Sequence, residues 1–164
     1  GEKIMDNVVF KVTDTYIKSQ NREAIYLALF LSVLIIALIM VIVNSEELFD
    51  MILPAIGLYF IGQPMIGIYT KLKEGRNAYP TFMIDNESAM VHVNHKNTTV
   101  SFPLSDIENL RLQYRSGSLE SILFSTKSEQ KITINGYENI ESMAEVFRRF
   151  APAENVKVVK WFHR

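Results

Sequence analysis

The chain has 164 residues, is 48% hydrophobic, and balances 17 basic against 18 acidic side chains. So nearly neutral a charge excludes a protein that wraps duplex DNA or RNA, which needs a basic surface to neutralise phosphates. It has no cysteine, hence no disulfide, thiolate metal site or cysteine nucleophile, which suits a domain facing the cytosol.

In chain order, residues 1–23 carry Met5, Val8, Val9, Val12 and Tyr16 at helical spacing, with Lys11, Asp14 and Lys18 elsewhere around the wheel. That pattern predicts an amphipathic helix lying in a membrane interface. A short strand through Val8, Phe10 and Val12 is the competing reading.

Ala24–Val43, AIYLALFLSVLIIALIMVIV, has no charge. As a helix it would be about 30 Å long, the thickness of a bilayer's hydrocarbon core. Met51–Tyr69 is also uncharged, and only Asn44–Asp50 separates the two runs, so a transmembrane hairpin is expected. Ala24–Val43 is too long for a signal-peptide core, and no small-residue cleavage site follows it. Lys3, Lys11, Lys18 and Arg22 precede the first span and Lys71, Lys73 and Arg76 follow the second, whereas the loop carries Glu46, Glu47 and Asp50. By the positive-inside rule both termini should be cytoplasmic.

The second span differs from the first in holding Pro54, Gly57, Gly62, Gln63, Pro64 and Gly67. Small residues allow close helix packing, prolines free carbonyls, and an amide in hydrocarbon needs a partner. Ordinary hairpin packing and an oligomer interface or pore around Gly62, Gln63 and Pro64 both fit.

Residues 70–80 form a linker through charges, Gly75 and Pro80, and residues 81–164 are enough for one small β-rich domain. Six antiparallel strands are expected from the period-two pattern: Phe82/Ile84, Val91/Val93, Val100–Phe102, Ile107–Arg115, Leu119–Thr126 and Lys131–Asn135. One C-terminal helix follows, capped by Asn139, with Ile140, Met143, Ala144, Phe147 and Phe150 as its apolar stripe. The tail after Pro152 ends in Trp161 and Phe162 and needs a surface to sit on. The expected class is therefore a membrane α-helical hairpin plus a small cytosolic α+β domain.

The stretches FPLSDIENLRL (Phe102–Leu112) and SLESILFSTKSEQKITINGYENIESMAEVF (Ser118–Phe147) resemble bacterial membrane-anchored pleckstrin-homology-like proteins. In that family a Pro-x-x-Asp-Ile turn opens a strand, a polar hairpin follows and a helix closes the barrel. The resemblance implies fold and membrane context rather than an activity. By layout alone, the chain also resembles two-span membrane effectors of prokaryotic antiviral signalling, of the type III CRISPR and cyclic-oligonucleotide kinds. That second likeness implies a bacterial inner-membrane homo-oligomer, a tetramer for preference. Its cytosolic part would bind a cyclic nucleotide such as cyclic oligoadenylate, and its membrane part would then perturb the bilayer.

No catalytic constellation is visible: there is no glycine-rich phosphate loop, HExxH or G-x-S-x-G, and no cofactor is implied. His92 and His95, three apart in a strand, point to opposite faces and make a poor metal pair. An anionic ligand would want cations, amides and aromatic faces. Three stretches supply them: His92, Asn94, His95 and Lys96; Arg111, Gln113, Tyr114 and Arg115; and Trp161 with Arg164. A solvated strand face is the plain alternative for each, and docking of a protein partner is the alternative function.

Overall fold

The structure, a computed structural model, describes residues 7–161. The chain divides into two compact units, residues 17–75 and, discontinuously, the residues before and after them.

The first unit is a pair of long helices. The helix α1 runs Asp14–Asn44 and α2 runs Leu48–Glu74, each long and apolar enough to cross a membrane. Their large side chains point outward: Phe30, Val33, Ile36 and Met40 on α1 and Leu53, Tyr59, Phe60 and Ile66 on α2 are exposed. Within the apolar run of α1 the Ser32 hydroxyl donates to the Ala28 carbonyl of its own helix at 2.8 Å. Gly57 makes the close approach between the helices, because a Cβ there would stand 3.2 Å from Leu38 Cδ1.

The second unit is α+β. One sheet contains β1 (Asn7–Phe10), β2 (Thr81–Asp85), β3 (Met90–His95) and β4 (Thr98–Pro103), antiparallel in that order. The other contains β5 (Ile107–Arg115), β6 (Ser118–Thr126), β7 (Lys131–Asn135) and β8 (Val156–Trp161), in the order β7-β6-β5-β8. Here β8 runs parallel to β5, and a third helix, α3 (Ile140–Phe150), packs on β5 and β6. Alternation supplies the core: Phe82, Ile84, Val91 and Phe102 from one sheet, Leu110, Leu112, Ile122, Phe124 and Ile134 from the other, and Met143, Ala144 and Phe147 from α3. The Phe124 ring meets Phe102 at 5.8 Å and Phe147 at 5.1 Å, so one side chain joins both sheets to the helix.

Two strands exceed the six expected, and each corrects a reading. Residues 7–10 pair with β2 as a strand, the competing reading of this stretch, instead of forming an interfacial helix, and α1 begins only at Asp14. The unpaired edge of β2 accepts this partner, and burial of Phe10 and Val12 rewards it. Met5 lies outside the described residues. The tail is strand β8, since Val156 and Val158 fall beside Leu110 and Leu112. Asn139 occupies the cap of α3 in a left-handed conformation without a side-chain bond, its carbonyl instead receiving the Met143 N–H at 3.2 Å. Phe150, expected in the apolar stripe, is 41% exposed.

A clasp holds the start of α1 to the loop after β7. Thr13 N–H donates to the Gly136 carbonyl at 2.8 Å and Glu138 N–H to the Lys11 carbonyl at 2.9 Å. The Thr13 hydroxyl donates to the same Gly136 carbonyl and receives the Tyr16 N–H, capping the helix. Gly136 has φ of 70°, and a Cβ there would collide with the Tyr16 ring, so glycine is required twice over. Tyr137 is buried, donates to the Pro80 carbonyl at 2.7 Å and stacks edge-on against Phe82.

Two outcomes follow from this packing. Phe147→Ala should lower the stability of the β-rich unit by about 3–5 kcal/mol, read by denaturant melting of the detergent-solubilised chain. Burial, with Tyr16 and Tyr79 close by, raises the Tyr137 phenol above the ordinary tyrosine range. The folded state thus favours the neutral phenol. Its stabilisation is complete below pH of about 10 and is lost as pH climbs from there toward the raised folded value. Tyr137→Phe should flatten the alkaline limb of the stability profile while costing about 1–2 kcal/mol at neutral pH through the orphaned Pro80 carbonyl.

Candidate anion-binding site

The site hangs from β5. Burial of Leu110 and Leu112 turns Asn109 and Arg111 to the opposite, solvent-facing side of the sheet. Register then brings their neighbours into two rows. Lys131 on β7 lies beside Ser125 on β6 and Asn109 on β5; Thr133 lies beside Leu123, Arg111 and finally Lys157 on β8.

These side chains, with Asn155 from the turn before β8, surround a depression of about 440 Å³. The amide of Asn109 donates to the Ser125 hydroxyl at 3.0 Å, and that of Asn155 to the Glu108 carbonyl at 2.9 Å, fixing the turn that delivers Lys157. Arg111, Lys131 and Lys157 are exposed, no carboxylate lines the depression, and none of the three forms an ion pair among the described residues. Arg111 and Lys157 are on adjacent strands, roughly 5 Å apart at the backbone, whereas Lys131 is two strands over and one row along, roughly 12 Å away. Such a spacing can hold two anionic groups, one between Arg111 and Lys157 and one at Lys131.

The residues anticipated from the sequence do not converge. His92, Asn94, His95 and Lys96 belong to the β3–β4 hairpin of the first sheet. There the His92 ring Nδ1 bonds the Ser101 hydroxyl at 2.6 Å, and Asn94 accepts from the Thr99 hydroxyl at 2.7 Å. Beside them, Asp85 closes the β2–β3 turn. The Ser88 hydroxyl, with the N–H groups of Ser88 and Glu87, holds its carboxyl below the usual carboxylate range.

On β5 only Arg111 lines the depression. Gln113 accepts from the Ser121 hydroxyl at 2.6 Å, and Arg115 is paired with Glu120 at 3.3 Å. A bulge between Gln113 and Tyr114 sets Tyr114 opposite Leu119. Trp161 pairs with Arg115 at the end of β8, and Arg164 lies outside the described residues. Gly62, Gln63 and Pro64 lie within α2. Among the described residues, no three His, Asp or Glu side chains gather to hold a metal.

Lys131, Lys157, Asn109 and Asn155 were not anticipated. The alternation of Lys131 and Thr133 with Ile132 and Ile134 carried the signal for β7, and Val-Lys-Val carried it for β8. No protein family, curated protein or solved structure matches the chain.

This geometry separates two arginines that look equivalent in sequence. Arg111→Ala with Lys157→Ala should weaken binding of a polyanionic probe such as heparin by tenfold or more, roughly, and flatten its salt dependence. Arg115→Ala should change binding little, because Glu120 already compensates that charge; affinity measured against ionic strength decides.

Proposed function

We propose that the chain is a two-span protein of the bacterial inner membrane whose cytoplasmic β-rich unit binds an anionic nucleotide second messenger. A cyclic oligoadenylate or cyclic dinucleotide would sit on the outer face of the second sheet and bias the packing of the hairpin. The observation that carries this reading is the cluster of Arg111, Lys131 and Lys157 around one depression, without an acidic neighbour in its lining.

The membrane part rests on α1 and α2, whose apolar side chains face outward over most of their length. Because β1 precedes the helices and β2 follows them in one sheet, a spanning hairpin must return to the side it left. Lys18, Arg22, Lys71 and Lys73 at that end, against Glu46, Glu47 and Asp50 at the tip, favour the cytoplasm for it. The antiparallel run β2 to β7 followed by α3 favours the likeness to pleckstrin-homology-like proteins, and β8, parallel to β5 after the helix, departs from it. A ligand could shift the hairpin by the difference in its affinity for two arrangements, typically about 1–3 kcal/mol per coupled site. The edges β4 and β8 expose Val100 (52%) and Val158 (47%), which favours docking of a protein strand as the second reading.

The test is a thermal-shift screen of the detergent-solubilised chain against cyclic di- and oligonucleotides. A rise in melting temperature for one of them, abolished by Arg111→Ala with Lys157→Ala, is the expected result. A flat screen across all of them would reject the messenger and leave the protein-docking surface to be tested by pull-down.

A further inference from the structure

The uncharged run Met51–Tyr69 contains a single carboxamide, Gln63. Gln63 is exposed on α2, and among the described residues its amide makes no hydrogen bond. The next residue, Pro64, is inside the helix and has no N–H, so the Phe60 carbonyl one turn back loses its helical donor. Two donors and two acceptors thus lie on one outward strip in the middle of an apolar segment, where neither lipid nor α1 answers them.

Two glycines of α2 differ in what they meet. Gly57 is spent on the hairpin, against Leu38. Gly67, one turn beyond Gln63 on the same strip, has nothing within 4 Å of its Cβ position. It leaves a notch beside the amide that a second helix could enter.

We infer that this strip of α2, Phe60–Gln63–Pro64–Gly67, docks on the same strip of a second copy of the chain. Each Gln63 amide then donates to the partner's Phe60 carbonyl or to the partner's Gln63. A carboxamide is donor and acceptor at once, so two copies related by a two-fold axis satisfy each other without any other polar component. This is what selects a second copy over lipid. The inference rests on the reading that the hairpin spans the bilayer.

The chain has no cysteine, so an introduced one reports alone. Thr70 lies two turns from Gln63 on the same strip, and its hydroxyl donates to the Ile66 carbonyl of its own helix. T70C, reconstituted in phosphatidylethanolamine–phosphatidylglycerol vesicles at low protein-to-lipid ratio, should form a disulfide dimer on mild oxidation. V33C, 64% exposed on α1, should not. Adding Gln63→Leu to T70C should reduce the cross-linked fraction by about tenfold, and Gln63→Asn should restore part of it. Alkaline extraction of the same vesicles comes first. If the chain is washed out, the spanning reading falls and takes this inference with it. If the chain is retained but T70C cross-links no better than V33C, or Gln63→Leu leaves cross-linking unchanged, the inference alone is overturned.

Discussion

Val8 and Phe10 on β1 sit opposite Ile84 and Phe82 on β2, with both long apolar helices between them in sequence. Through this pairing one sheet anchors the entry to α1 and the exit from α2. The clasp at Gly136 reinforces the entry side with backbone bonds that no charge or salt can weaken. Arg76 and Asp14 add a 2.6 Å ion pair, but it is exposed, and solvent screening leaves such pairs little to contribute. Holding the two ends together is therefore the work of strand pairing and buried rings.

The rings also explain why the outer face of the second sheet can be polar. Phe124 touches Phe102 and Phe147, so the inner face alone binds both sheets and α3 into one body. Freed from packing, the opposite face can carry Arg111, Lys131 and Lys157 close together. Mounting them on strands fixes their backbones to the ladder spacing, which positions cations more sharply than a loop would. Their mutual repulsion is small at an exposed surface, where water screens it.

How much of this could be seen in the sequence depended on whether a signal was local. The two helices, β2 to β7 and α3 follow from periodicity, because each buries a face that its own residues define. Strand β1 is ambiguous in sequence because Val8, Val9, Val12 and Tyr16 fit a helix as well as a strand, and only the distant edge of β2 decides. Strand β8 was missed because its partner, β5, lies parallel and beyond α3, a pairing that no turn residue announces. The site went with it. Arg111 was recognisable as an outward cation, but Lys157 joins it only through that pairing, and Lys131 only through two ladders. Arg115 reads in sequence as an equal outward cation, whereas its pairing with Glu120 is set by the bulged hairpin geometry.

The placement of β1 imposes an order on biosynthesis. Its residues leave the ribosome before either helix, yet they cannot pair until β2 has emerged behind both. Until β1 pairs, β2 has one bare edge, and Phe10 and Val12 have no core to enter. Closing so long a loop late is slow, as for any sheet built from distant segments. Both apolar helices are thus synthesised before the sheet can close, and a chain in which β1 fails to pair is left with an open sheet edge, a state that invites aggregation and proteolysis.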